Sequence, residues 1–449
     1  MTTGNSRPLL PPILVSGFVA SIGLWVLWFV THLPWLHQSE SINIPILLGY
    51  WGLAFVVAGF NVGPGRAWKV GVGAGLVSAL VGLLALGTKL RAEVQGGGPA
   101  DPTLHPSTAL IVLGFLATGT LLGAAGMALG GALAPKSRAT QPEPDWLSRF
   151  AWVTCIAAAP LLFVGGLVTS TDSGMAVPDW PNTFGSNMFL YPLGPRSAPN
   201  VYLEHSHRLF GTLVGLTSIV LTCWVWLSNQ RFYVRVYAIV VLTLIIAQGL
   251  LGAMRVIQND RISALVHGVI AQVIFAGLIA LAIYLSPSFR GLSAILPPPP
   301  ARRIKLFATA AMHTMLVQLV FGAMYRHLRS SHVLWSHAGF SVVVVVAAIL
   351  AGFSAHAFMK DAANLPAAAK TLRRGGTWLI VAVGFQFLLG WFVFMTTAGQ
   401  NRRPESVPQA VIRTTHQANG ALLLGLTTVV FVMARQANRL AKRATKPAG

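Results

Sequence analysis

The sequence predicts an all-α polytopic membrane protein of about twelve transmembrane helices. Of its 449 residues, 54% are hydrophobic and only 10% are charged; soluble domains carry about 25% charged residues. Mean hydropathy is +0.65. The apolar residues fall in runs of about 20 or more, and at about 1.5 Å per helical residue each run can cross a hydrocarbon core of about 30 Å.

The first run, 9–30, lacks a small-residue cleavage site and reads as a retained helix rather than a removed signal peptide. Runs at 42–62, 68–88 and 107–134 complete a first set of four. The stretch from Ala134-Pro135-Lys136-Ser137-Arg138 to Pro142-Glu143-Pro144 then interrupts the chain. A second four follows at 149–169, 206–228, 233–254 and 263–286. The prolines Pro297 to Pro300 predict a stiff linker, and a third four occupies 304–325, 333–358, 376–397 and 411–434. The predicted domains are 1–145, a membrane block to which no role is assigned, then 146–296 and 301–449.

The net charge is +21. Lys and Arg lie between the apolar runs rather than in one patch, so they read as topology determinants facing anionic lipid, with no nucleic-acid partner. The N-terminus, the even-numbered loops and the C-terminal tail carry about twice the Lys and Arg of the opposite side, which predicts cytoplasmic termini in a cell (inner) membrane. Cys155 and Cys223 both fall within predicted spans. Neither a disulfide scaffold nor a thiolate metal site is indicated.

Glu204-His205-Ser206-His207-Arg208 stands at the outer mouth of the run 206–228. Glu204 and His207 are three apart and share a helix face. Ionisable groups at such a place are costly and suggest a functional site. The competing reading is that Glu204 and Arg208 snorkel to the headgroups and the His pair is incidental.

The second and third fours look like copies. Gln248-x3-Gly252, Gln318-x3-Gly322 and Gln386-x3-Gly390 recur on equivalent helices, while Leu162 replaces Gln ahead of Gly166. Residues four apart share a face. Gly admits a neighbouring helix or a flat ligand, and Gln can hydrogen-bond across. The alternate helices carry His207, His267, His337 and His416 near their outer ends. A lone His there is more often interfacial, but four at corresponding places favour ligation. Without thiolates or a carboxylate cluster, zinc and calcium are poorly served. Two imidazoles at one depth suit a haem iron, giving two candidate bis-His sites, His207 with His267 and His337 with His416. His332 is a rival to His337 at the helix edge. His205 lies off the face of Glu204 and His207, and it reads, with His32, His37, His105, His313, His327 and His356, as interfacial or structural.

Specific motifs carry a resemblance. GGLVTSTDSGMAVPDWP (Gly165 to Pro181), EHSHRLFG (Glu204 to Gly211), LVHGVIAQ around His267 and TTHQANGALL around His416 resemble the haem A synthase family over roughly residues 150–435. Residues 1–145 lie outside the resemblance. It implies an eight-helix core of two pseudo-symmetric four-helix bundles, with substrate haem O on His207 and His267 and a haem B cofactor on His337 and His416. The implied reaction is oxidation of the haem O C8 methyl to a formyl group, with Glu204 as the essential acid. Haem O synthase, terminal oxidase assembly factors and an electron acceptor are the implied partners, beside membrane lipid.

Two departures stand out. Many bacterial members have an outer-loop Cys pair, and Thr183 stands where the first is usual. The third four has Leu334 and Ala338 where Glu204 and Arg208 stand in the second, which fits one reactive half and one electron-carrying half. In that scheme Glu204 acts as a base toward water or stabilises developing positive charge, and Arg208 is a candidate partner for a propionate. Asp172 and Asp179 read first as loop-structure residues. Trp180 and Phe184 read equally as haem cover and as interfacial anchors. The alternatives are a diheme b-type electron carrier without chemistry on the ring, which leaves Glu204 unexplained, and a transporter, which leaves the His pattern unexplained.

Overall fold

A computed structural model describes residues 7–36, 38–92, 94, 96–258, 260–292, 298–357, 367–397 and 406–445. His37 lies outside them. The described residues form α1 (Leu10–Thr31), α2 (Glu40–Val62), α3 (Ala67–Leu86), α4 (Thr108–Leu133), α5 (Trp146–Ser170), α6 (Pro199–Ser228), α7 (Phe232–Gln258), α8 (Arg261–Leu285), the single turn α9 (Pro287–Arg290), α10 (Pro298–Leu328), α11 (Ser331–Ala357), α12 (Ala367–Thr397) and α13 (Val407–Ala444). Twelve of these are long and apolar enough to cross a membrane.

Several helices outrun their apolar runs, because helix propensity does not stop at the hydrocarbon boundary. α13 continues through Arg435, Arg439, Lys442 and Arg443. α10 begins inside the proline run that the sequence suggests is a linker; proline fits the first turn, where an N–H has no intrahelical acceptor. α6 starts at Pro199, so Glu204 lies in its second turn rather than at its mouth.

By contact, the chain divides into two compact units whose limits differ from the three blocks set by the linkers. One comprises residues 1–161 and 173–220, the other 162–172 and 221–449. In the first, α3 packs on α1 and α4, and α2 on α4 and α1. Gly71 and Gly75 of α3 lie against Gly123 and Gly119 of α4, backbone on backbone. Beside this seam Trp51 Nε1 donates to Ser78 Oγ at 2.8 Å, satisfying a polar atom buried in an apolar interior. The 134–145 break is pinned: Glu143 accepts from Arg66 (2.7 Å), Arg7 (3.1 Å) and Trp146 Nε1 (2.7 Å), and Arg138 donates to the Asn61 carbonyl.

In the second unit α10, α11, α12 and α13 pack in a closed ring, each on the next and α13 back on α10. α8 packs on α7, α10 and α13.

Candidate functional site

The first unit places Glu204 and Arg208 on one face of α6, one turn apart. Glu204 is 4% exposed. Its Oε1 accepts from Arg208 Nη2 at 2.8 Å and its Oε2 from the Val177 N–H at 2.9 Å. Arg208 also donates to the carbonyls of Val177 (3.0 Å), Asp179 (2.6 Å) and Asn182 (3.1 Å). Both its Nη groups thus serve protein acceptors, and the guanidinium ties the 173–198 loop to α6. The snorkelling reading fails here. These charges are buried and paired within protein, where leaving either one alone would be strongly unfavourable.

His205, set aside by the sequence reading, is fully buried under the same loop. Its Nδ1 lies 3.1 Å from Thr183 Oγ1, and its ring packs 5.3 Å from that of Tyr191. No local pattern marks it, because its partners lie elsewhere in the chain. Burial raises the Tyr191 pKa above its ordinary value. The phenol therefore stays protonated and donates to that carbonyl at 3.2 Å. Asp179 accepts from the Phe184 and Gly185 N–H groups at 2.8 and 2.7 Å, as a loop-structure residue does. Asp172 takes a positive φ of 57°. Trp180 is 43% exposed, and Phe184 packs on Tyr191.

The second unit gives the Gln-x3-Gly repeat its physical meaning. A Cβ at Gly252 would lie 3.0 Å from His267 Cε1, one at Gly322 3.0 Å from His337 Cε1, and one at Gly390 3.1 Å from His416 Cε1. Each glycine therefore makes room for an imidazole edge of another helix. The Gln one turn earlier fixes that helix: Gln248 Nε2 donates to the His267 carbonyl at 2.7 Å and Gln318 Nε2 to the His337 carbonyl at 2.9 Å. Gln386 instead lies 3.2 and 3.3 Å from the two ring nitrogens of His416, and accepts from Asn419 at 2.7 Å.

His337 and His416 face one another with ring centroids 6.3 Å apart. Two metal–nitrogen bonds of about 2 Å, with about 1 Å from each nitrogen to its ring centre, span about 6 Å. That ring separation would let His337 and His416 hold one iron between them. Nδ1 of His337 is buried without a hydrogen-bond partner among the described residues, so one ring nitrogen is left for such a bond or for an unseen acceptor. His332 is exposed in the first turn of α11. Among the described residues no group of three or more His, Cys, Asp or Glu could hold a metal ion by itself. His207 lies on α6 in the first unit and His267 on α8 in the second. Arg326, which the sequence reading gave no role, donates to the Gly166 carbonyl (2.6 Å) and Ser170 Oγ (2.7 Å).

Residues 148–339 match the family model COX15-CtaA, described as cytochrome oxidase assembly protein. That span holds Glu204, His207, Arg208, His267 and His337, while His416 lies beyond it. The chain is similar to proteins named Heme A synthase: one from Exiguobacterium sp. is 31% identical over 191 residues, 41% of this chain and 60% of that protein. Those from Shouchella clausii (36% over 126 residues, 27% of this chain and 40% of that protein) and Halalkalibacterium halodurans (38% over 130 residues, 28% and 42%) match shorter stretches. The chain thus spans about half the length of the curated relatives it matches. No solved structure matches it. Over the matched segment, residues 148–339, the chain is thus similar to the COX15-CtaA family of cytochrome oxidase assembly proteins.

Proposed function

We propose that this protein is a haem A synthase that oxidises the C8 methyl of haem O to a formyl group. The change removes four electrons and four protons and takes its oxygen from water. The observation that carries the reading is the buried Glu204 carboxylate, held at both oxygens by Arg208 and the Val177 N–H. An electron carrier has no use for such a group. Glu204 takes a proton from water or balances positive charge at the reacting carbon. Arg208 holds the loop and the carboxylate together; its candidacy for a propionate falls to Nε, since both Nη groups face the protein. His207 and His267 are the proposed ligands of the substrate iron, on the strength of the sequence repeat. His337 and His416 are the proposed ligands of haem B, which supplies one-electron transfer when bound. Haem O synthase as the source of substrate, terminal oxidase assembly factors as recipients and a separate electron acceptor complete the proposal.

Haem extraction from the purified protein tests it. A synthase yields haem O, a hydroxylated intermediate or haem A beside haem B. Haem B alone would mark a diheme b-type carrier.

The proposed orientation puts both termini in the cytoplasm and Glu204 toward the outer side, on the Lys and Arg asymmetry. Thr183 is fully buried, so the exposed Asn182 and Lys136 serve as reporters. With Cys155 and Cys223 replaced, Asn182→Cys should react with an impermeant maleimide in intact spheroplasts and Lys136→Cys should not. The reverse pattern would invert the topology.

A further inference from the structure

The first four helices lie outside the family match, yet they bond to the very loop that holds Glu204. We propose that residues 7–133 form a clamp on the 173–198 loop and the start of α6, with Gly87, the 96–98 segment and Tyr202 as positioning residues for the Glu204 carboxylate. This inference rests on the proposed role of Glu204.

The clamp has two arms. The first is the connection between α3 and α4. Ala198 N–H donates to the Gly96 carbonyl at 2.6 Å, and Gly96 N–H to the Arg196 carbonyl at 3.0 Å. This reciprocal pair fixes the loop where it enters α6. Tyr191 OH donates to the Gly98 carbonyl, and Gly87 lies directly against the Phe189 carbonyl, so that a Cβ there would overlap it. Tyr191 then packs on His205, His205 meets Thr183, and the same loop supplies Val177, Asp179 and Asn182 to Arg208 and Glu204. The second arm is the outer end of α1. Phe29 carries one of the last four carbonyls of α1, a group without an intrahelical donor. The fully buried Tyr202 OH, two residues before Glu204, donates to it at 2.7 Å. Phe29 and Trp25 pack on Phe210, six residues beyond Glu204 along α6. Lys89 Nζ meets Glu40 Oε1 at 2.6 Å, joining the outer ends of α2 and α3.

The loop therefore has protein on both sides. Arg208 draws its carbonyls toward α6, and the N-terminal helices hold its far edge. Release of that edge frees the Val177 N–H, which is one of the two donors on Glu204.

Gly87→Ala and Tyr202→Phe test this in the full-length protein. Gly87 has an ordinary helical φ of −50°, so alanine disturbs only the approach of Phe189. Two readouts are needed. The first is thiol reactivity at a Thr183→Cys reporter in a chain with Cys155 and Cys223 replaced. The position is sealed in the intact protein, and labelling should rise about tenfold when either clamp substitution is added. The second is haem A formation and its pH profile beside haem B content. Conversion should fall about tenfold with a displaced pH profile, while haem B, whose proposed ligands lie in the other compact unit, stays at the wild-type level. Unchanged labelling in both variants overturns the clamp. Raised labelling with conversion and pH profile unchanged overturns its link to Glu204. If Glu204→Gln itself leaves conversion intact, the functional reading fails, and the labelling result still decides whether the clamp exists.

Discussion

If the proposed function holds, replacing Glu204 with Gln should lower conversion of haem O by about 10²- to 10⁴-fold while haem B stays bound, the usual cost of losing a general base or a charge-stabilising group. The structure sharpens what this substitution does. Both carboxylate oxygens accept hydrogen bonds, one from Arg208 and one from the Val177 N–H. An amide can present only one acceptor, so its NH₂ must face a donor, either Arg208 or Val177. The most economical arrangement keeps Arg208 on the amide oxygen and opposes Val177, loosening the loop as well as removing the charge. Haem O, the hydroxylated intermediate and haem A should therefore be measured together with haem B. Wild-type haem A formation removes Glu204 from the chemistry. Loss of every haem instead makes it a structural residue of the site.

Removing His337 or His416 should have the opposite signature. Substitutions that merely support a metal ligand cost about 10- to 100-fold in affinity, and loss of an axial ligand should exceed that. His337→Ala and His416→Ala should each deplete haem B, with the low-spin bis-imidazole spectrum lost. His207→Ala should disturb the substrate haem and leave that spectrum largely intact. Gly322→Val provides an independent route to the same end, because the imidazole of His337 already lies 3.0 Å from where a Cβ would stand. Its two added methyl groups must displace the ring. Full haem B content in His337→Ala and in Gly322→Val would assign the cofactor to other residues.

Much of this was legible in the sequence where the information is local or periodic. Apolar runs gave twelve spanning helices. The Gln-x3-Gly pairs pointed to close approach and a cross-helix hydrogen bond, and the structure identifies the approaching group as His267, His337 or His416. The equal separation of Gln248 from His267 and of Gln318 from His337 was the available signal that each Gln serves the helix bearing the next His. What stayed hidden depends on contacts between distant segments. His205 looked idle because Thr183 and Tyr191 are loop residues with no periodic mark. Tyr202 carries no mark in the sequence, since its acceptor is a backbone carbonyl 173 residues earlier. The 134–145 stretch read as a spacer because composition cannot show that Glu143 gathers Arg7, Arg66 and Trp146.

The glycine seam of the N-terminal helices bears on permeation. At Gly71 against Gly123 and Gly75 against Gly119 the two backbones touch, and Gly59 and Gly130 bring α2 and α4 together in the same way. Even a methyl group would overlap a carbonyl oxygen at these points. A hydrated ion or a small solute needs several ångströms of clearance, so neither the α3–α4 nor the α2–α4 interface can serve as a conduit without prising the helices apart. Such opening would forfeit dispersion contacts along their length. Solute flux along either seam is therefore closed off by the backbone itself, and no side-chain rotation can gate it.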